Sequence, residues 1–156
     1  MTVKGGFIMP AMQETKDTIL LLKECDAGTK MAVKSLRQVL DDTKSEELHK
    51  LLTKSLEDHE ALGNKLHDLL NEYEESSEEP SKMSSFWAKM MTDFKMMIDY
   101  SDHQVASLMI DGCNMGIKSL SEYVNQYKDA SQKALDMCTR LITLEQDLMD
   151  KLRLFL

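Results

Sequence analysis

The sequence predicts an all-α fold, an antiparallel four-helix bundle made of two helical hairpins with a long link between its second and third helices. Three observations carry that expectation: apolar residues recur at three- and four-residue steps, the residues that punctuate β-structure are scarce, and one hairpin repeats in the other. Of 156 residues 42% are apolar, yet only 6 are Gly, 2 are Pro and 6% are aromatic, too few turn formers for a sandwich or barrel. The length suits one sizeable core, with residues 1–9 as an N-terminal tail and 10–156 as a single domain.

The first helix is expected over 11–41. Ile19, Leu22, Cys25, Thr29, Ala32, Leu36 and Val39 fall on one stripe, and Pro10 sits at a first position that tolerates the missing N–H. Thr43 followed by Glu46 reads as a capping box for the second helix, whose stripe is Leu48, Leu52, Leu56, His59, Leu62, Leu66 and Leu69. That stripe fades into the acidic, Ser-rich stretch 72–85, the longest connection in the chain. Ser84 or Ser85 is placed to cap a third helix running to about Val124, with Met90, Phe94, Met97, Ser101, Gln104, Leu108, Asp111 and Met115 inward. Asp129 with Gln132 starts the fourth, with Leu135, Cys138, Ile142, Glu145, Met149, Leu152 and Phe155 inward.

Met31-Ala32-Val33-Lys34-Ser35-Leu36 lines up with Met115-Gly116-Ile117-Lys118-Ser119-Leu120, and in that register Gly28 falls on Gly112. The second and fourth helices align more weakly, Leu56 on Ile142 and Lys65-Leu66 on Lys151-Leu152, which sets His59 on Glu145. Two copies of one hairpin explain this, although amphipathic helices also resemble one another for reasons of packing alone. A link of ten or more residues between the hairpins favours a crossover over a tight turn.

The formal net charge of −8 and the absence of a Lys/Arg cluster disfavour nucleic acid, whose binding rests on neutralised phosphates. No run reaches the roughly 18 apolar residues of a membrane span, and residues 1–12 lack a signal peptide's apolar core, so a cytoplasmic protein without membrane contact is expected. Cys25, Cys113 and Cys138 are odd in number, lie within helical patterns and form no CxxC, which points to buried reduced thiols.

The run Leu22-Lys23-Glu24-Cys25-Asp26-Ala27-Gly28 followed by Met31-Ala32, the Leu-rich second helix, Phe86-Trp87 opening the third and Asp111-Gly112 within it resemble a ferritin-like family of small bacterial proteins of unknown function. The resemblance spans nearly the whole chain and implies the crossover form of the bundle. The family's third helix carries further glutamates around the glycine, where this chain has Ile110 and Cys113. An inherited metal site is therefore incomplete.

A di-iron carboxylate bundle needs a Glu from each of two helices and a Glu-x-x-His from each of the other two. Here one Glu-x-x-His exists, Glu46 to His49, in the first turn of the second helix, where capping and surface roles fit better. The stronger candidate lies at mid-height. Closing the hairpins near 43 and 127 levels His59 with Cys25 to Thr29 and Glu145 with Asp111, so each helix offers something polar. A carboxylate left alone in hydrocarbon is costly, so Glu145 must be protonated, paired, hydrated or ligating. Two readings stay open: a satisfied His59–Glu145 network with Asp111 or Asp26 nearby, or a reduced site for iron or another divalent metal built from His59, Glu145, Asp111 and Asp26.

Other signals are thinner. His59-Glu60 begins a zinc-protease motif, but Gly63 stands where the second His belongs. No nucleophile elbow or phosphate-binding glycine loop occurs, so conventional catalysis lacks support. Gly112 and Gly116, with Met90, Met91, Met96 and Met97, would give the third helix a flat, adaptable face for a partner helix or a second copy. Two functions follow: a non-catalytic module acting by association, as a homo-oligomer or with a partner helix, or a metal-binding bundle.

Overall fold

Serine caps mark where three of the four long helices begin. A computed structural model of the chain describes residues 10–73, 88–90, 92–93, 95–96 and 101–156, and among these every regular element is helical. The long helices are α1 (Pro10–Leu40), α2 (Glu46–Glu72), α3 (Asp102–Gln126) and α4 (Gln132–Leu152), followed by a 3-10 turn, Arg153–Phe155. The tail 1–9, Pro80, Ser84, Ser85, Phe86, Trp87, Met91, Phe94 and Met97 lie outside the described residues. No helix among the described residues is long and apolar enough to cross a membrane.

The hydroxyls of Ser45, Ser101 and Ser131 accept the N–H groups of Leu48, Gln104 and Ala134, each offsetting one orphan donor of a first turn. Thr43 and Asp129, expected as caps, lie two residues too early. The Thr43 hydroxyl donates instead to the Leu40 carbonyl at 2.9 Å, closing the end of α1. The expected third helix is not one run: residues 88–90, 92–93 and 95 are helical, but Ser101, with an extended backbone at φ −58° and ψ 154°, stands outside the helix and caps the start of α3.

Bonds between helix ends fix the directions. The N–H groups of Lys44 and Ser45 donate to the Asp102 carboxylate at 3.0 and 3.1 Å, which sets the start of α3 beside the start of α2. A carboxylate is well placed there, against the positive end of a helix dipole. At the opposite end, the N–H groups of Asp129 and Ser131 donate to the Asp17 carboxylate and the Thr18 hydroxyl at 3.2 and 2.8 Å. Thus α1 and α4 run one way and α2 and α3 the other, with Glu72 and Ser101 at opposite ends of the helices.

The core divides in two. Near the α1 start, Leu21, Leu22, Cys25, Leu62, Leu66, Leu70, Leu120, Tyr123, Cys138 and Leu141 form one apolar cluster. Towards the other end, Leu36, Val39, Leu48, Leu52, Val105, Ala106, Met109, Cys113, Leu148 and Leu152 form a second. Burying each leucine side chain stabilises by roughly 1.5–3 kcal/mol. Between the clusters lie His59 and Glu145, both buried and in neither.

Candidate functional site

The inward stripe of α2 carries His59 at the level where α4 carries Glu145. The imidazole is completely buried and its two nitrogens are engaged: Nδ1 lies 2.7 Å from the Ser55 carbonyl oxygen and Nε2 3.0 Å from Glu145 Oε1. A carbonyl only accepts, so Nδ1 carries a proton. The bond to Glu145 then needs a second proton between Nε2 and the carboxyl group, giving either an imidazolium with a carboxylate or a neutral imidazole with a carboxylic acid. Burial pushes the His59 pKa down, but the hydrogen bond and charge of Glu145 and the Ser55 carbonyl outweigh it, and the net shift is upward.

On α3 the Cys113 thiol completes the layer. Burial raises its pKa, and the neighbouring Glu145 carboxylate raises it further, so Cys113 stays a thiol beside Glu145. Gly116, one turn on, leaves room for the same group: a Cβ there would stand 3.6 Å from Glu145 Cδ and Oε2. The remaining void beside the pair, lined by Ala32, Leu36, Met109, Gly112 and Leu148, holds about 10 Å³, one water at most. The result is a buried row from Ser55 through His59 and Glu145 to Cys113, with apolar neighbours around Glu145 and a cleft between α1 and α2 bordering His59.

Of the four residues expected in this layer, the structure pairs His59 with Glu145, leaves Asp26 on a cleft that His59 also lines, and turns Asp111 outward. Asp111 is exposed on the outer side of α3, in a cleft with Lys89, Asp93, Asn114 and Lys118. The inward phase expected of α3 runs unbroken from Met90 to Met115, and the break at Ser101 resets it; Val105, Ala106, Met109, Gly112, Cys113, Gly116, Leu120 and Tyr123 face inward instead. Gly112 and Gly116 therefore face the core and offer no outer face to a partner. Asp26 is buried but pairs with Lys30 at 3.0 Å on its own helix, lining a cleft of about 390 Å³ between α1 and α2 to which the His59 ring also contributes. Among the described residues no three His, Cys, Asp or Glu side chains converge as metal ligands would.

Sequence reasoning missed Cys113 and Ser55, though a signal for the first was present. Shifting the α1 stripe Leu22, Cys25, Thr29, Ala32 and Leu36 by the repeat register gives Ala106, Met109, Cys113, Gly116 and Leu120, all buried. Glu46, His49, His67 and His103 are exposed, as surface residues should be.

The fold is that of a solved structure, YcfI from Rhodopseudomonas palustris, provisionally described as a structural protein, with a TM-score of 0.71 over 97% of this chain and 98% of that one at 12% identity. No curated protein is similar enough in sequence to count as a match. The model of DUF2383, a domain of unknown function, matches residues 17–126, more than half of the sequence, and the chain belongs to that family.

Proposed function

We propose that the chain is a ferritin-like four-helix bundle with a crossover between its hairpins, in which a hydrogen-bonded pair stands where related bundles hold metal, and that it acts by association. The observation that carries this reading is the saturation of His59. Each ring nitrogen already has a partner in the protein, so an ion would have to displace a proton and the Glu145 bond from Nε2. The positions from which such bundles draw their other ligands are filled by Thr29 on α1, Cys113 on α3, and Leu56 and Ile142 three residues before His59 and Glu145. That donor set does not fit a two-metal site.

With the interior closed, the apolar surface left for a partner lies outside. On α1, Ala11, Met12, Thr15, Ile19 and Leu20 line a shallow trough of about 700 Å³ edged by Lys16 and Lys23, and Met12 is 59% exposed. The structural role given provisionally to YcfI is in keeping with a protein that works by contact. Light scattering on the eluting protein is expected to give at least twice the chain mass, and Ile19→Glu to lower it. A strict monomer at every concentration overturns the association reading. Elemental analysis tests the other half: purified chain should carry less than about 0.1 iron or zinc per molecule, and a stoichiometric ion lost in His59→Leu would restore the metal-binding reading.

A further inference from the structure

Cys25 on α1 and Cys138 on α4 are each fully buried and unbridged, and they belong to the same apolar cluster. Their meeting follows from the register of two helices that run in the same direction. Thr18 and Ser131 are bonded at the shared end; Cys25 lies seven residues beyond the first and Cys138 seven beyond the second, a rise of roughly 10 Å on each helix. Three residues further along both, a Cβ at Gly28 would stand 4.0 Å from Leu141 Cδ2, so the helices are in contact here. Cys138 donates to the Leu120 carbonyl at 3.8 Å. The two thiols are near enough to perturb each other: interaction with Cys138, with burial acting in the same direction, raises the pKa of Cys25, and interaction with Cys25 lowers that of Cys138 against the effect of burial.

We propose that Cys25 and Cys138 are an oxidative modification site, where a peroxide forms an internal disulfide that fastens α1 to α4 and thus the first hairpin to the second. The thiolate is the reactive form, and Cys138 supplies it by giving up the proton it shares with the Leu120 carbonyl. Its sulfur attacks hydrogen peroxide, the O–O bond breaks, and a sulfenic acid forms as hydroxide leaves; the proton lost from Cys138 turns that hydroxide into water. The Cys25 sulfur then attacks the Cys138 sulfur and displaces the sulfenic oxygen, which leaves as water with the Cys25 proton. Two thiols and one peroxide give one disulfide and two waters, with the sulfurs oxidised and both peroxide oxygens reduced. Cys113 has no part in this, because its thiol faces Glu145.

The test treats the native chain with hydrogen peroxide, quenches, unfolds and alkylates. Free thiols should fall from three to one, and peptide mapping should find residues 25 and 138 in one cross-linked pair. Cys113→Ser should keep that cross-link. Cys25→Ser should lose it and leave a sulfenic acid on Cys138 that dimedone traps. Retention of three thiols, a bridge that includes Cys113, or disulfides formed only between chains each overturn the proposal. Wild type and Cys113→Ser decide the outcome between them, so the test holds even where Cys25→Ser folds poorly.

Discussion

The two hairpins solve the same packing problem with different chemistry at the same height. His59 on α2 and Glu145 on α4 are repeat equivalents, 86 positions apart, and they bond to each other. Because α1 and α3 run in opposite directions, as do α2 and α4, repeat equivalents near mid-height come level with each other, as His59 and Glu145 do. Two carboxylates there would repel, and two neutral imidazoles could share only one bond; one of each makes a self-satisfying pair. The difference between the hairpins is thus what lets the two polar groups satisfy each other.

Breaking the pair from either side should have the largest effect. His59→Leu leaves Glu145 buried with only the Cys113 thiol and is expected to cost about 3 kcal/mol in urea unfolding. Glu145→Leu removes the carboxylate and leaves a neutral imidazole with one unfilled nitrogen, a loss of about 1–2 kcal/mol. The double variant should lose less than the sum, since neither polar group is then stranded. Additive losses would show that the two do not act as a unit. The pair also sets a pH dependence. His59 has a pKa raised by folding above its ordinary 6.5, so its contribution is fully present below about pH 6.5 and is lost as pH rises through the folded value. The stability gap between wild type and His59→Leu should therefore narrow from pH 6 towards pH 9, and a gap that widens over that range contradicts the assignment.

The caps give the next effect. Ser45→Ala in the first hairpin and Ser131→Ala in the second should each cost about 1 kcal/mol, because each strands an N–H in a first turn. Thr43→Ala, at the position the sequence pattern favours, should change stability by less than about 0.5 kcal/mol. Equal losses at Thr43 and Ser45 would return the cap to Thr43. The interior glycines follow. Gly28→Ala should gain up to about 1 kcal/mol of helix propensity, since its new Cβ meets nothing nearer than 4.0 Å. Gly63→Ala should gain less, because its Cβ would stand 3.2 Å from Thr29 Cγ2 and press α2 against α1.

How much was legible in the sequence also differs between the hairpins. The stripes of α1 and α2 hold almost residue by residue, with only Ile19 and Leu56 half-buried, because each is one uninterrupted helix between clear ends. In α3 the stripe carried from Met90 fails after Ser101, since periodicity says nothing about rotation across a break in the backbone. In α4 Cys138, Glu145 and Leu152 are inward as expected, while Leu135, Ile142 and Met149 are half-buried flanks and Ala134, Met137, Leu141 and Leu148 complete the core. The all-helical class follows from composition and spacing. The candidate layer was half legible: a buried His and Glu stood out against hydrocarbon, whereas Cys113 did not, because a thiol among apolar residues looks like another hydrophobe.

The smallest effect should come from Asp111, and its smallness is informative. Asp111 and Glu145 are both acidic and lie on the two helices of one hairpin, yet one is exposed and the other buried against an imidazole. An exposed carboxylate keeps its hydration and its neighbours Lys89 and Lys118 are screened by water. Asp111→Ala should therefore move stability by less than about 0.5 kcal/mol, against the much larger loss expected from separating His59 and Glu145, and it should leave the pH dependence of the His59 contribution intact. A loss at Asp111 as large as that at Glu145, or a pH profile that shifts with it, would bring Asp111 back into the layer.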